Sequence, residues 1–285
     1  MILIDMNQIA VANLMMNLKM NNSKTIDENM VRHMILNSIR MYRMEHHDEY
    51  GEVVLTWDSK HSWRRDYYPE YKAGRRKGRE ESDLDWDDIF GTLNKIRNEI
   101  KQNFPYKYLE VFGAEADDII GFLCEENRDQ KIMIISGDKD FIQLKRYGYV
   151  DQYNPCLKKW VEGLDPKLYI SEHILKGDRS DGIPNFLSDD SCLVEGRRQK
   201  PLRKVLIAKW STQSPEDFCT TPELMDQYER NRKLIDFECI PKEMSEKIID
   251  TYESLVPANR SDLSSYFEEN LSKFIRICNM QSTNI

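Results

Sequence analysis

The sequence predicts an α/β fold with a mainly parallel central sheet, followed by an α-helical region. Three short apolar runs each lead into an acid, stretches with helical spacing separate those runs, and the strand pattern fades beyond about residue 170. Met1-Ile-Leu-Ile-Asp5 reads as a short buried strand that ends in an acid. Residues 29–44 read as a helix, with Met30, Met34, Met41 and Met44 beside Val31, Ile35 and Ile39 in an apolar stripe expected to fill the core. Val53-Val-Leu-Thr-Trp-Asp58 repeats the strand-then-acid pattern. Trp86–Ile100 is a second amphipathic helix, stopped before Pro105, and Ala114–Glu126 is a third. Lys131-Ile-Met-Ile-Ile-Ser136 is the third apolar run, followed by Gly137-Asp138-Lys139-Asp140. Helices are expected over 167–176, 201–210, 222–235, 242–254 and 263–279, with a loop-rich junction across 177–201 where Gly and Pro gather.

The chain has 285 residues, enough for one large domain or two modest ones with a real core. No window approaches a membrane-spanning apolar length, and the first residues lack a basic region and a cleavage site, so a cytoplasmic protein is expected. Six scattered cysteines form no C-x-x-C pair and read as free thiols, without a structural zinc. The net charge of −8 argues against a non-specific DNA coat, but its distribution is uneven. Residues 60–79 hold eight Lys or Arg against two acids, and residues 197–209 hold six against none. Two basic segments in an acidic chain suggest a polyanion held at chosen places.

Asp5, Asp58 and Asp138 with Asp140 all lie just past apolar strands. In open parallel sheets the carboxyl ends of the strands form the site crevice. Carboxylates that converge there repel unless cations lie between them. Oxygen donors without Cys or His suit magnesium or manganese. Glu115-Ala-Asp117-Asp118 opens a helix and reads equally well as acids complementing the helix dipole. Gly177-Asp178-Arg-Ser-Asp181-Gly-Ile-Pro184 reads either as a capped turn or as two carboxylates presented to one ion. Nine acids exceed what one ion needs, and two magnesium ions roughly 3.5–4 Å apart, clamping a scissile phosphate, would use them. Ser62 and Cys124 lack a base at recognisable spacing, and His46-His47-Asp48 reads as a polar surface turn.

In this order, the strand-end acids, E-A-D-D, S-G-D-K-D and G-D-x-S-D-x-I-P resemble the structure-specific 5′-nuclease (flap endonuclease) family. Tyr71-Lys-Ala-Gly-Arg75 is similar to the segment after the second Asp in the 5′-nuclease domains of bacterial DNA polymerase I. Met30-Val-Arg-His33, Trp63-Arg-Arg-Asp66, Arg79-Glu-Glu-Ser82, Lys158-Lys-Trp-Val161, Leu175-Lys-Gly-Asp178, Val194-Glu-Gly196 and Leu234-Ile-Asp-Phe237 resemble the ribonuclease H branch found in T-even-type phages. The likeness covers most of the chain. It implies a PIN-like nuclease core and two-metal removal of RNA primers and short 5′ flaps, with RNase H-type activity on RNA–DNA hybrids. Asp5, Asp58, Glu115, Asp117, Asp118, Asp138, Asp140, Asp178 and Asp181 would then be metal ligands or their close supports. The resemblance also makes residues 59–85 a helical arch or clamp, with Lys72, Arg64 and Arg75 acting in catalysis. The expected domains are a catalytic α/β domain over 1–180 and an α-helical DNA-binding domain over 181–285.

The residues themselves agree about the basic segment. Arg65, Arg76, Lys77 and Arg79 can bind phosphates, and Trp63, Tyr67, Tyr68 and Tyr71 are expected to stack on unpaired bases. Ile183-Pro184 continues without the family's second Gly-rich hairpin, so no potassium site is expected. Duplex binding is assigned instead to Arg197, Arg198, Lys200, Arg203 and Lys204. The expected substrates are branched or flapped DNA and RNA–DNA hybrid. A monomer is expected, with a phage single-stranded-DNA-binding protein as partner of the C-terminal helices. Three alternatives compete. A haloacid-dehalogenase-type phosphatase needs Asp-x-Asp, but position 7 is Asn7. A PIN-type single-strand ribonuclease would lack the basic arch. A non-catalytic DNA-binding module has no use for nine acids where phosphate must approach.

Overall fold

The computed structural model describes residues 1–21, 25–259 and 261–268. Six strands, β1 (Ile2–Asp5), β2 (Val53–Trp57), β3 (Lys107–Glu110), β4 (Ile132–Ile135), β5 (Val150–Asn154) and β6 (Lys159–Trp160), form one sheet in the order β3-β2-β1-β4-β5-β6. All neighbours pair in parallel except β6, which runs antiparallel to β5. The three expected strands are its middle. Ile4 pairs with Leu55 on one side and Ile135 on the other, which brings the carboxyl ends of β1, β2 and β4 level.

Helices cover both faces, which is why the middle strands read as unbroken apolar runs rather than alternating ones. α1 (Met6–Met20), α2 (Glu28–Tyr50) and α5 (Trp86–Asn103) pack on the face that carries Ile2 and Ile4. Between β2 and α5 lie the short helices α3 (Trp63–Tyr67) and α4 (Gly74–Glu80). α6 (Ala116–Glu126) packs on the opposite face, with Leu3. Ile2, Leu3 and Ile4 are each 0% exposed, and burial of each contributes about 1.5–3 kcal/mol.

Beyond β6 come α7 (Pro166–Lys176), α8 (Lys204–Trp210), α9 (Pro215–Phe218), α10 (Pro222–Ile235) and α11 (Lys242–Ser254). Met244 and Ile248 of α11 return to pack with the α6 face of the sheet. The buried Gln143 amide bridges to this region, donating to the Ile235 carbonyl and accepting from the Phe237 N–H. A boundary at 180–181 therefore falls inside the loop carrying Asp178 and Asp181, and packing crosses it. No helix among the described residues is long and apolar enough to cross a membrane.

Several elements differ from expectation. α1 follows β1 directly, and Asp5 both ends the strand and caps the helix, accepting from Gln8 N–H at 3.1 Å. Its apolar residues extend beyond one face, with Met16 and Met20 exposed, so no single stripe marks it. β3, β5 and β6 carry polar residues that hide them from an apolar-run search. His46, His47 and Asp48 lie within α2, not in a turn, because that helix runs on to Tyr50. The apolar stripe fills the core through Val31, Ile35 and Ile39, which are buried with Tyr42; of its methionines Met30 and Met34 are half-buried, whereas Met41 and Met44 are exposed and do not fill it. The helix expected over 201–210 begins only at Lys204, after Pro201. Helical residues 261–268 match the start of the one expected over 263–279, whose remainder lies outside the described residues.

Candidate active site

The nine acids gather at the carboxyl ends of β1, β2 and β4. Asp5 ends β1, and Asp58 follows β2 and accepts from Ala116 N–H at 2.8 Å, tying it to the start of α6. Glu115 is the N-cap of α6 and exchanges bonds with Asp118 in a capping box. After β4 the chain turns at Ser136, whose hydroxyl donates to Asp5 at 3.0 Å. Asp140 N–H donates to Asp138 at 2.9 Å, holding that pair together. Asp178 and Asp181 arrive on the loop after α7. Gly177 has φ +66 and a Cβ there would lie 2.3 Å from the Pro184 carbonyl, so the loop closes only with glycine.

One set of these acids makes no Lys or Arg ion pair among the described residues, and Lys72, Arg75 and Arg64 offset its charge only from a distance. Burial raises the Asp5 carboxyl to about 7, with Asp58 and Asp138 adding repulsion. Burial, then Asp138 and Asp5, pushes Asp117 well above the usual carboxylate range. Asp140 is raised in the same way, by burial and then by Asp138 and Asp178. Burial and the Glu115 charge raise Asp58. Such groups are stable as anions only when positive charge joins them, and the donors are hard oxygens. They fit a hard divalent cation. A cavity of about 10 Å³ bounded by Asp117, Asp140, Asp178 and Asp181 is large enough for one ion or water.

The other set is braced by the segment after β2. Arg64 is 2% exposed and reaches Asp118 at 2.7 Å and the Leu234 carbonyl at 2.8 Å. The Trp63 indole donates to the other Asp118 oxygen at 3.1 Å. Lys72 Nζ lies 2.8 Å from Glu115 and 3.7 Å from Asp181, and Arg75 lies 2.6 Å from Asp181. The Tyr71 hydroxyl lies 2.7 Å from Glu115 and 3.0 Å from Asp181. Burial alone would raise Glu115, but Lys72 and Arg64 hold it below its ordinary value. Gly182, at φ +77, lets this segment close on the Asp181 loop, since a Cβ there would meet the Glu70 carbonyl at 2.7 Å.

Residues 1–169 match the family model of the 5′-3′ exonuclease N-terminal resolvase-like domain, and residues 165–280 match that of the T4 RNase H C-terminal region. The chain belongs to the 5′-3′ exonuclease family. It is 34% identical to the ribonuclease H of Enterobacteria phage T4, over 97% of this chain and 94% of that protein. It is 31% identical to DNA polymerase I of Streptococcus pneumoniae, over 48% of this chain and 16% of that one. In fold it is similar to the phage T5 D15 protein co-crystallised with metal ions. The TM-score is 0.61 at 16% identity, covering 88% of this chain and 98% of that one. A T5 5′-exonuclease structure with bound divalent zinc gives 0.60 at 14% identity, over 89% and 98% of the two chains.

In this exonuclease-family chain the base-stacking expectation is corrected. Trp63, Tyr68 and Tyr71 are 8%, 3% and 3% exposed, because they anchor the segment rather than face solvent. Tyr68 and Tyr71 pack against Ile183, Leu234 and Ile235, so Tyr71 does not offer a stacking face. Tyr67 is 40% exposed, with Lys233 Nζ 4.0 Å from its ring centre. Arg65, Arg76 and Lys77 are exposed, and Arg79 lies over Phe90. In the second basic run Arg198, Lys200, Arg203 and Lys204 are exposed. Arg197 is exposed too but is ion-paired with two acids, Asp189 at 2.6 Å and Glu195 at 2.5 Å, against one acid each for Arg76 and Lys77, which makes it the least available cation of the run.

Sequence reasoning missed Gln8, Ser136 and His173. Ser136 was legible as part of S-G-D-K-D. His173 carried no signal, since α7 reads as an ordinary helix and only folding brings it to the acids.

Proposed function

We propose that this chain is a magnesium-dependent 5′-nuclease, hydrolysing phosphodiester bonds as a 5′→3′ exonuclease and flap endonuclease. Its work would be the removal of RNA primers and short 5′ flaps in DNA replication, with RNase H-type activity on RNA–DNA hybrids. The observation that carries this reading is the meeting, at one crevice, of acids that have no Lys or Arg ion pair with a basic segment. Asp5, Asp58, Asp117, Asp138, Asp140 and Asp178 would hold two magnesium ions, with manganese able to substitute. When bound, these ions supply Lewis-acid stabilisation of the scissile phosphate and its leaving oxygen.

The protein's own side chains do the positioning. Lys72 and Arg75 already reach the rim of the crevice and can exchange Glu115 and Asp181 for a substrate phosphate. Arg64 serves as an internal brace rather than a substrate contact, since its guanidinium is committed to Asp118 and Leu234. Asp118 is a support for the same reason, with both oxygens occupied. Arg65, Arg76, Lys77 and Arg79 would track the 5′ strand as it passes residues 59–85. Arg198, Lys200, Arg203 and Lys204 would hold the duplex on the helical region that follows residue 180. We further propose a monomer acting in the host cytoplasm, with a phage single-stranded-DNA-binding protein as partner.

The test is cleavage of a 5′-labelled flap and of an RNA–DNA hybrid, with magnesium, with EDTA, and with Asp138→Asn. Magnesium-dependent 5′ cleavage that the variant loses is expected. Cleavage that survives EDTA overturns the mechanism.

A further inference from the structure

His173 projects from α7 toward two acids of the crevice. Its Nε2 lies 3.3 Å from Asp140 Oδ1 and 3.7 Å from Asp178 Oδ2. One ligand atom from each of these three residues lies within 4.8 Å of the other two. Nε2 is buried yet makes no hydrogen bond. The ring is held against Tyr169, stacked at 5.7 Å and 13°. Asp140 and Asp178 have no Lys or Arg ion pair among the described residues.

Buried polar nitrogens are normally hydrogen-bonded, so an orphan one beside two carboxylates needs a reason. Donor atoms about 2.1 Å from one ion, at tetrahedral or octahedral angles, are roughly 3.0–3.5 Å apart. The two measured separations are close to that spacing without rearrangement. We propose that His173 is a nitrogen ligand, with Asp140 and Asp178, to one of the two cations of this site. The consequence is selectivity. All-oxygen sites suit magnesium, whereas an imidazole nitrogen is taken more readily by the first-row divalent series that begins with manganese than by magnesium. One site then binds manganese distinctly more tightly than its all-carboxylate neighbour does. This inference rests on the metal-dependent reading above.

The test uses the full-length chain without DNA, titrated with manganese alone and with magnesium alone. Pulsed EPR of the manganese form should detect imidazole ¹⁴N coupling, replaced by a ¹⁵N pattern after ¹⁵N-histidine labelling and absent in His173→Gln. His173→Gln should weaken manganese at one site by about tenfold or more and magnesium by less than about threefold. Two manganese ions bound without nitrogen coupling, or unchanged manganese affinity in the variant, overturns the ligand role. If the variant fails to fold, the labelling result on the natural chain decides alone. A chain that binds neither metal sinks the nuclease reading and the ligand role together.

Discussion

Asp5, Asp117 and Asp138 share a crevice with Glu115, Asp118 and Asp181, but the first three repel one another without a Lys or Arg ion pair among the described residues, while the second three are ion-paired with Arg64, Lys72 and Arg75. The contrast separates two uses of the same residue type. In the braced half the charges are satisfied inside the protein, so those acids stabilise the position of the basic segment. In the open half the charges are unpaired, so those acids destabilise the metal-free fold and, on the function proposed above, would gain their balance from a cation.

The largest expected effect lies in the open half. Asp138→Asn should lower flap cleavage by at least about 10³-fold, roughly 4 kcal/mol in the barrier. It should leave DNA binding intact or tighter, and should not lower the melting temperature in EDTA, because it relieves repulsion. A marked loss of stability in EDTA would erase the contrast between the halves. Arg64→Ala should do the opposite. It strands a fully buried Asp118 and should cost about 3–5 kcal/mol of stability in urea unfolding. Arg64→Lys should rescue little, since one ammonium cannot span Asp118 and the Leu234 carbonyl as the guanidinium does.

Lys72→Ala should reduce cleavage by about 10²-fold, the scale of one lost charge-stabilising group. Asp66→Ala, whose partner is the surface His61 at 2.8 Å, should leave cleavage nearly unchanged. Equal activity in the two variants would remove Lys72 from the site. Stability against pH should separate the halves next. Asp5 titrates near 7 in the folded chain against 3.8 ordinarily, so the folded state binds more protons between those values. Metal-free stability should therefore rise as pH falls from about 8 to about 5, and saturating magnesium should abolish the rise. Glu115 works the other way: held below its ordinary 4.5, it contributes stability that is lost only in stronger acid. A flat urea midpoint between pH 8 and 5 in EDTA would contradict the open half. The smallest effect belongs to α4. Neutralising Arg76 and Lys77 together should flatten the salt slope of DNA binding by up to about 0.9 per lost phosphate contact. Arg197→Gln should leave the slope unchanged, because its charge is already spent on Asp189 and Glu195.

The middle strands and their acids were legible because a strand buried on both faces must be apolar and its end must return to solvent. Asp5, Asp58 and Asp138 stand at those three ends. The flanking strands β3 and β5 were not, since their polar residues break any apolar run. The fate of the basic segment was equally hidden. Trp63, Arg64 and Tyr71 look like surface nucleic-acid residues in one dimension, and which face of α3 and the turn after it is buried depends on Leu234 and Ile235, more than 160 positions away.

By itself the sequence determined the α/β class, the order of the acid clusters and their chemistry, because these follow from local apolar pattern and residue type. Only the tertiary structure decided which acids are already ion-paired and which are left without a Lys or Arg partner. That division depends on distances between charges on separate elements, and neither spacing along the chain nor composition carries it. His173 is the clearest case: an unremarked helix residue in one dimension, and a nitrogen 3.3 Å from Asp140 in three.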